Sequence, residues 1–305
     1  MENKYWKFSS DCQGFLSQIA FDFLELPLEE DIYHYIGEKI GQMVGGSLVF
    51  ISTYEIDLNV FRIKSVNGDP QKVQALQENF TNDYLADLAV KWSSLSESAR
   101  IALSENQLHR VKGGLYSALG GQLSIEECQR IQELLGTGEI YTTGFKWDEQ
   151  IYGSATIFLD AQEKLEDPEA LLTLVNLSSV ALKNRTAERA LLASEEKFRK
   201  LFNNANDAIF LHQLTEDGVS GKFVEVNSVA SQILGYTHEE LLNMSPRDIE
   251  DIKSFNESKR MAGRVKENKI TFETTLMSKD GRKIPVEINT HIFTLNQDKL
   301  SLSIA

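Results

Sequence analysis

The sequence predicts an α+β protein of two domains, each a central antiparallel sheet flanked by helices, joined by one long helix. Three observations predict it. A run without Pro or Gly extends from Glu169 to about Phe202, enough for a helix of roughly 50 Å at 1.5 Å rise per residue. On either side of that run lie short alternating apolar segments bounded by Gly, Asn and Asp, the pattern of half-buried strands joined by turns. The chain's 305 residues suffice for two domains of ordinary size, each burying its own core.

Residues 1–27 read as an N-terminal helical segment with Phe15, Leu16, Ile19, Phe23 and Leu24 on one face. A second helix is predicted from about Leu28 to Met43, because Ile32, Ile36 and Ile40 recur every four residues. Strands follow at Ser47–Thr53 and Val60–Val66, the second closed by Asn67-Gly68. Residues 70–110 read as helical from Val73, Leu76, Phe80, Leu85, Leu88 and Trp92, and Leu115–Leu119 as a strand between Gly113-Gly114 and Gly120-Gly121. Ser124, with Glu127 three residues on, opens a short helix by a capping box. Two strands, Glu139–Lys146 and Ile151–Asp160, are set to pair as a hairpin across Trp147–Gln150.

The connecting helix, residues 166–202, begins at Asp167-Pro168-Glu169: a side-chain acceptor at the N-cap, Pro at the first helical position and an acid in the first turn. Beyond it, strands are predicted at Ala208–Leu214 and Lys222–Val226. Asn227 caps a helix ended by Gly235, a residue suited to left-handed backbone. Thr237 opens another short helix, and Ser254–Asn268 reads as a third. Three strands close the chain: Thr271–Ser278, Lys283–Phe293 and Leu300 onward. Asp280-Gly281 between alternating runs sets the first of their hairpins.

Composition narrows the function. A formal charge of −14 argues against a nucleic-acid surface, which needs clustered Lys and Arg. No segment offers roughly 20 uncharged apolar residues for membrane insertion, and no signal-peptide pattern opens the chain. A cytoplasmic location is the expectation. Cys12 and Cys128 are too few for a disulfide framework or a structural zinc cluster, so no metal site is expected.

Certain segments carry a family likeness. Glu195–Phe202, Asn206–Phe210, Phe223–Asn227, Leu234-Gly235-Tyr236 with Glu239–Leu242, and Lys279–Arg282 together resemble PAS domains of histidine kinases, in the order that family has them. Residues 28–165 resemble GAF domains more loosely, through the opening helix, the paired strands, and Gly144–Glu149 through Gly153-Ser154-Ala155. A second, divergent PAS-like sensor is the alternative for that half. The resemblance implies a noncatalytic sensory and dimerisation region passing a signal to a downstream kinase module, with residues 203–305 as a PAS domain truncated in its last strand. It also implies a homodimer through the connecting helix, where Leu171, Leu174, Val175, Leu177 and Leu182 form a stripe interrupted by Asn184, Arg185, Glu188 and Arg189. Packing of that stripe on the first sheet is the alternative. The input region of a cyclic-dinucleotide synthase, or a stand-alone interaction module without ligand, are the other readings.

No catalytic constellation is present in the sequence. His34, His109, His212, His238 and His291 are scattered, and none sits in a phosphoacceptor box; no glycine pair adjoins the Lys-Ser or Lys-Thr of a phosphate loop. No Cys follows Cys128, which argues against a flavin adduct in the PAS half. The Asp-Ile-Pro setting of a bilin is missing, and Phe145–Glu149 only echoes a cyclic-nucleotide motif. Family likeness leaves haem at Cys128 and His109, since thiolate and imidazole are usual axial ligands; a Cys on the apolar face Ile125, Cys128, Ile131, Leu135 is equally a core residue. For a small molecule in the PAS half, Ile209, Leu211, Val224, Val226, Ile233, Leu234 and Leu241 are candidate walls, or simply core.

Overall fold

The computed structural model describes residues 11–45, 47–79, 88–215, 219–251 and 268–305. The chain divides into two compact units, 1–189 and 190–305. The helix Pro168–Asn203 crosses that division.

The first unit is built on a sheet of six strands in the order β3-β2-β1-β6-β5-β4. Its strands are β1 Leu48–Glu55, β2 Val60–Asn67, β3 Ala89–Lys91, β4 His109–Arg110, β5 Thr137–Trp147 and β6 Gln150–Asp160, all antiparallel to their neighbours. The helices are α1 Asp11–Glu25, α2 Ile32–Met43, α3 Pro70–Asn79, α4 Glu97–Ser104, α5 Gly114–Ala118, α6 Ile125–Leu135 and α7 Pro168–Asn203. Successive strand residues point to opposite faces, so the sheet carries two cores. Leu48, Phe50, Ile140 and Phe158 pack with α3 to α6, whereas Val49, Ile51, Phe145 and Ile157 pack with α1, α2 and the first half of α7.

Several ends obey local rules. Asp31 accepts from Tyr33 N and His34 N and starts α2 at Ile32, four residues later than the apolar spacing alone gave. Ser124 and Glu127 close a capping box on α6, and Asp167 Oδ1 accepts from Ala170 N ahead of Pro168. The β5–β6 hairpin turns at Asp148, whose φ is 51°.

Two expectations are corrected. Leu115–Leu119 is not a strand: Gly114–Ala118 is a helical turn, with Leu115 and Leu119 both buried. Their spacing of four is a helical period, and left-handed glycines on both sides make the turn possible. Nor are residues 70–110 one helical block. Helix α3 ends at Asn79, residues 80–87 lie outside the described residues, and β3 pairs with β2 through Phe61↔Val90. Sheet pairing here overrides the three- and four-residue spacing, and Ser96 starts a fresh helix by accepting from Ala99 N.

The second unit holds five antiparallel strands in the order β8-β7-β11-β10-β9: β7 Ile209–Leu214, β8 Ser220–Val226, β9 Lys269–Met277, β10 Lys283–Leu295 and β11 Asp298–Ile304. Helices α8 Ser228–Leu234, α9 His238–Leu242 and α10 Pro246–Ile249 lie between β8 and β9. The first two occur where Asn227, Gly235 and Thr237 place them; α10, started by Ser245 and Pro246, was not foreseen. Most of the predicted helix Ser254–Asn268 lies outside the described residues. The core gathers Phe210, Phe223, Val226, Leu234, Leu241 and Leu276.

Asn227 is fully buried. Its Oδ1 accepts from Ala230 N and Ile209 N, each at 3.0 Å, and its Nδ2 donates to Phe202 O at 3.1 Å and Asp207 O at 2.9 Å. Asn227→Ala would strip four backbone groups of their partner. At about 1–3 kcal/mol for each group left buried and unpaired, we expect the second unit to lose ~3 kcal/mol or more in urea unfolding. In the first unit, a Cβ on Gly144 of β5 would stand 2.0 Å from Leu103 O of α4. Gly144→Ala therefore pushes α4 off the sheet, and a loss of about 1–3 kcal/mol is expected by the same measurement.

Candidate functional site

A cavity of about 400 Å³ lies on the α4–α6 side of the first sheet. Ser96, Ser98, Ala99 and Leu103 of α4 and its cap form one wall, together with the preceding Leu95. Close approach at Gly144 holds that helix down on β5. Asn106 ends the helix in left-handed backbone, with φ 51°. It donates to Lys146 O at 2.8 Å and accepts from Lys146 N at 2.7 Å. This reciprocal pair directs the chain so that β4 joins β5 through His109↔Thr142, bringing both residues to the cavity. The third wall is Tyr116, Ser117 and Ala118 of α5 with Gly120 and Gly121. It is tied to α6 by Gln132 Oε1, which accepts from Leu115 N at 3.0 Å.

His109 is half-buried, and its Nε2 lies 3.2 Å from Ser98 Oγ. Cys128, its proposed companion for haem, is 1% exposed within the α6 core and is not among the residues lining the cavity. Burial pushes its thiol up from the ordinary value, away from the thiolate a metal needs. The fold therefore does not present Cys128 and His109 to one ligand. Among the described residues there is no group of three or more His, Cys, Asp or Glu suited to a metal ion.

In the second unit the proposed walls fall on two faces. Val226, Leu234 and Leu241 are core, with Ile233 packed against them. Val224 is 43% exposed, and Ile209 and Leu211 are half-buried. The pairs Phe210↔Ser303 and His212↔Ser301 put these four residues on one face, while Ile209 and Leu211 take the other. The interior of this sheet is thus more polar than its apolar residues suggested. Thr290 Oγ1 lies 2.9 Å from the Ser303 hydroxyl, and buried Thr274 Oγ1 has no hydrogen-bond partner among the described residues. Period-two alternation was readable, but the register of β7 was not.

The second unit carries a family match. A family model described as a PAS domain matches residues 206–305. Residues 206–305 are a PAS domain. The methyl sulfide methyltransferase-associated sensor of Methanosarcina acetivorans is 29% identical over 184 residues, 59% of this chain and 18% of that protein. The match thus spans about a fifth of the relative's length. Among solved structures, the PAS domain of an HTR-like protein from Haloarcula marismortui is 24% identical over 39% of this chain and 96% of that one, with a TM-score of 0.35. A PAS domain from a two-component sensor histidine kinase is 26% identical over 36% of this chain and 96% of that one, with a TM-score of 0.31.

Two titratable groups in the PAS domain, buried His212 and half-buried Glu250, oppose each other in pH. Burial holds His212 below its ordinary value of 6.5, although its Nδ1 bonds Gln213 O at 3.0 Å. Burial raises Glu250 from 4.5 to about 7, beside Asp251, which Lys283 pairs at 2.9 Å. A depressed His contributes stability above 6.5 that is lost as pH falls. A raised Glu contributes stability below about 4.5 that is lost as pH rises towards 7. We expect Glu250→Gln to remove the loss on the rising limb only, and His212→Gln to flatten the acid limb only, in urea midpoints of the PAS domain followed from pH 4 to 8.

Proposed function

We propose that this region is the noncatalytic sensory and dimerisation part of a signal-transduction histidine kinase. In this reading a GAF-type first unit and the PAS domain pass their states along α7 to a downstream kinase module. The ordered PAS segments, the family match and a relative named as a sensor support the signalling role. The GAF assignment is supported by the six-stranded sheet with helices on both faces and a cavity on one of them.

The observation that carries the dimer is on α7. Leu171, Leu174, Val175 and Leu182 are buried in the first unit. On the opposite side of the helix, Leu177, Asn184, Leu191 and Phe198 recur every seven residues, with Val180 and Leu201 three residues after the first and the last of them. Leu191, Phe198 and Leu201 are 60%, 60% and 67% exposed. A second copy laid parallel would cover this seam, and Asn184 opposite its twin would fix the register. The two alternatives for the stripe, sheet packing and pairing between copies, thus use different faces of one helix.

Sedimentation equilibrium tests it. The wild-type region is expected to be a dimer, and Leu191→Glu with Phe198→Glu a monomer with unchanged circular dichroism, since both side chains are exposed. A wild-type monomer at high concentration overturns the dimer. In the full-length protein, the same pair of substitutions is expected to abolish control of autophosphorylation.

A further inference from the structure

Resting on the sensory reading, we propose that the first-unit cavity binds a small organic anion, with one acidic head group and an apolar tail. The chain has 45 Asp and Glu against 31 Lys and Arg, yet among the described residues none of the 15 that line this cavity is acidic. Lys112 and His109 are the lining residues that can carry positive charge, three residues apart on the segment that begins with β4. The remaining polar groups are hydroxyls, among them Ser96, Ser98, Tyr116 and Thr142. An anion desolvated here meets a Lys cation, hydroxyl and imidazole donors, and no like charge among the described lining residues, which is the condition for charge-assisted hydrogen bonds to outweigh desolvation.

The apolar portion of the wall sets the rest of the ligand. Leu95, Ala99, Leu103 and Val111 lie together between α4 and β4, so a short branched or aromatic tail is accommodated beside the polar edge. A volume of about 400 Å³ is within the usual span for small-molecule sites, roughly 300–1,000 Å³. His109 already shares a contact with Ser98 Oγ at 3.2 Å, so the imidazole and this hydroxyl converge on one point. Carboxylate and phosphate share the required head-group chemistry.

Saturation-transfer NMR and thermal unfolding of the whole region separate the two sources. Isovalerate is compared with isovaleramide, and phenyl phosphate with phenol, each at millimolar concentration. At least one acid is expected to bind and raise the unfolding midpoint while its neutral counterpart does not. The acid that succeeds identifies the head group. Lys112→Met, at an exposed position, is expected to weaken that binding about tenfold, and Ser98→Ala also to weaken it, with oligomeric state unchanged. The proposal is overturned if neither acid binds, if acid and neutral counterpart bind alike, or if both variants bind as the wild type does. Binding of an acid that leaves full-length autophosphorylation unaltered would instead sink the sensory reading and leave the anion site standing.

Discussion

One buried carboxamide organises the PAS domain. Asn227 satisfies Phe202 O at the end of α7, Asp207 O in the following turn, Ile209 N at the start of β7 and Ala230 N in the first turn of α8. A side chain with two donors and two acceptor positions is fully used, in a place closed to water. Asp could not replace it, because a carboxylate would face two carbonyls where Asn offers N–H. Ser228 strengthens the same junction: its N donates to Asn203 Oδ1 at 2.8 Å, and its Oγ donates to Asn203 O at 2.9 Å. The last turn of α7 is therefore bonded to the sheet and to a helix of the PAS domain, so any displacement of those elements loads the end of that helix directly.

In the first unit the comparable constraint is alternation along β5. Thr142 and Gly144 face the cavity side, and Phe145, packed with Leu171 and Leu174 of α7, faces the other. Asn106 reaches around the strand end: besides its pair with Lys146, it donates to Asn176 Oδ1 of α7 at 3.1 Å. A close-packed interior resists sub-ångström shifts. Occupancy of the cavity, felt at α4 and β5, thus has a short physical route to α7 through Gly144, Lys146 and Asn106. The route consists of hydrogen bonds and one backbone contact that a Cβ would break, each open to substitution.

What the sequence disclosed follows from the range of the forces involved. Caps were legible at Ser124, Asp167, Asn227, Gly235 and Thr237, because each is decided within three or four residues. The Asp148 and Asp280-Gly281 turns were legible for the same reason. Elements settled by distant partners were not. Val90 is a strand residue only because β2 offers an edge, and Leu115 and Leu119 are helical because glycines release the backbone on both sides. In the candidate sites the same division holds. Which residue types could meet a ligand was visible, but the convergence of Ser98, His109 and Thr142 required the β4–β5 pairing, and the polar interior of the PAS sheet required the register of β11 against β7.

The polar run in α7 was read as one interruption of an apolar stripe, yet it is two unrelated features a hundred degrees apart on the helix. Arg185 is 6% exposed, and its guanidinium donates to Pro27 O at 2.5 Å and Leu26 O at 3.1 Å; Arg189 donates to Leu28 O at 3.0 Å. These carbonyls follow the C-terminus of α1, where cations are favoured by the helix dipole. A guanidinium can serve them because its donors are a rigid fork. Burial lowers the pKa of Arg185, but guanidinium stays charged in proteins, so its removal would strand carbonyls rather than relieve a charge. Asn184, one residue earlier, takes no part and is exposed. One short polar segment therefore anchors the N-terminal helix through Arg185 and Arg189 and leaves Asn184 exposed a hundred degrees away, which is why the apolar pattern breaks there without the helix ending.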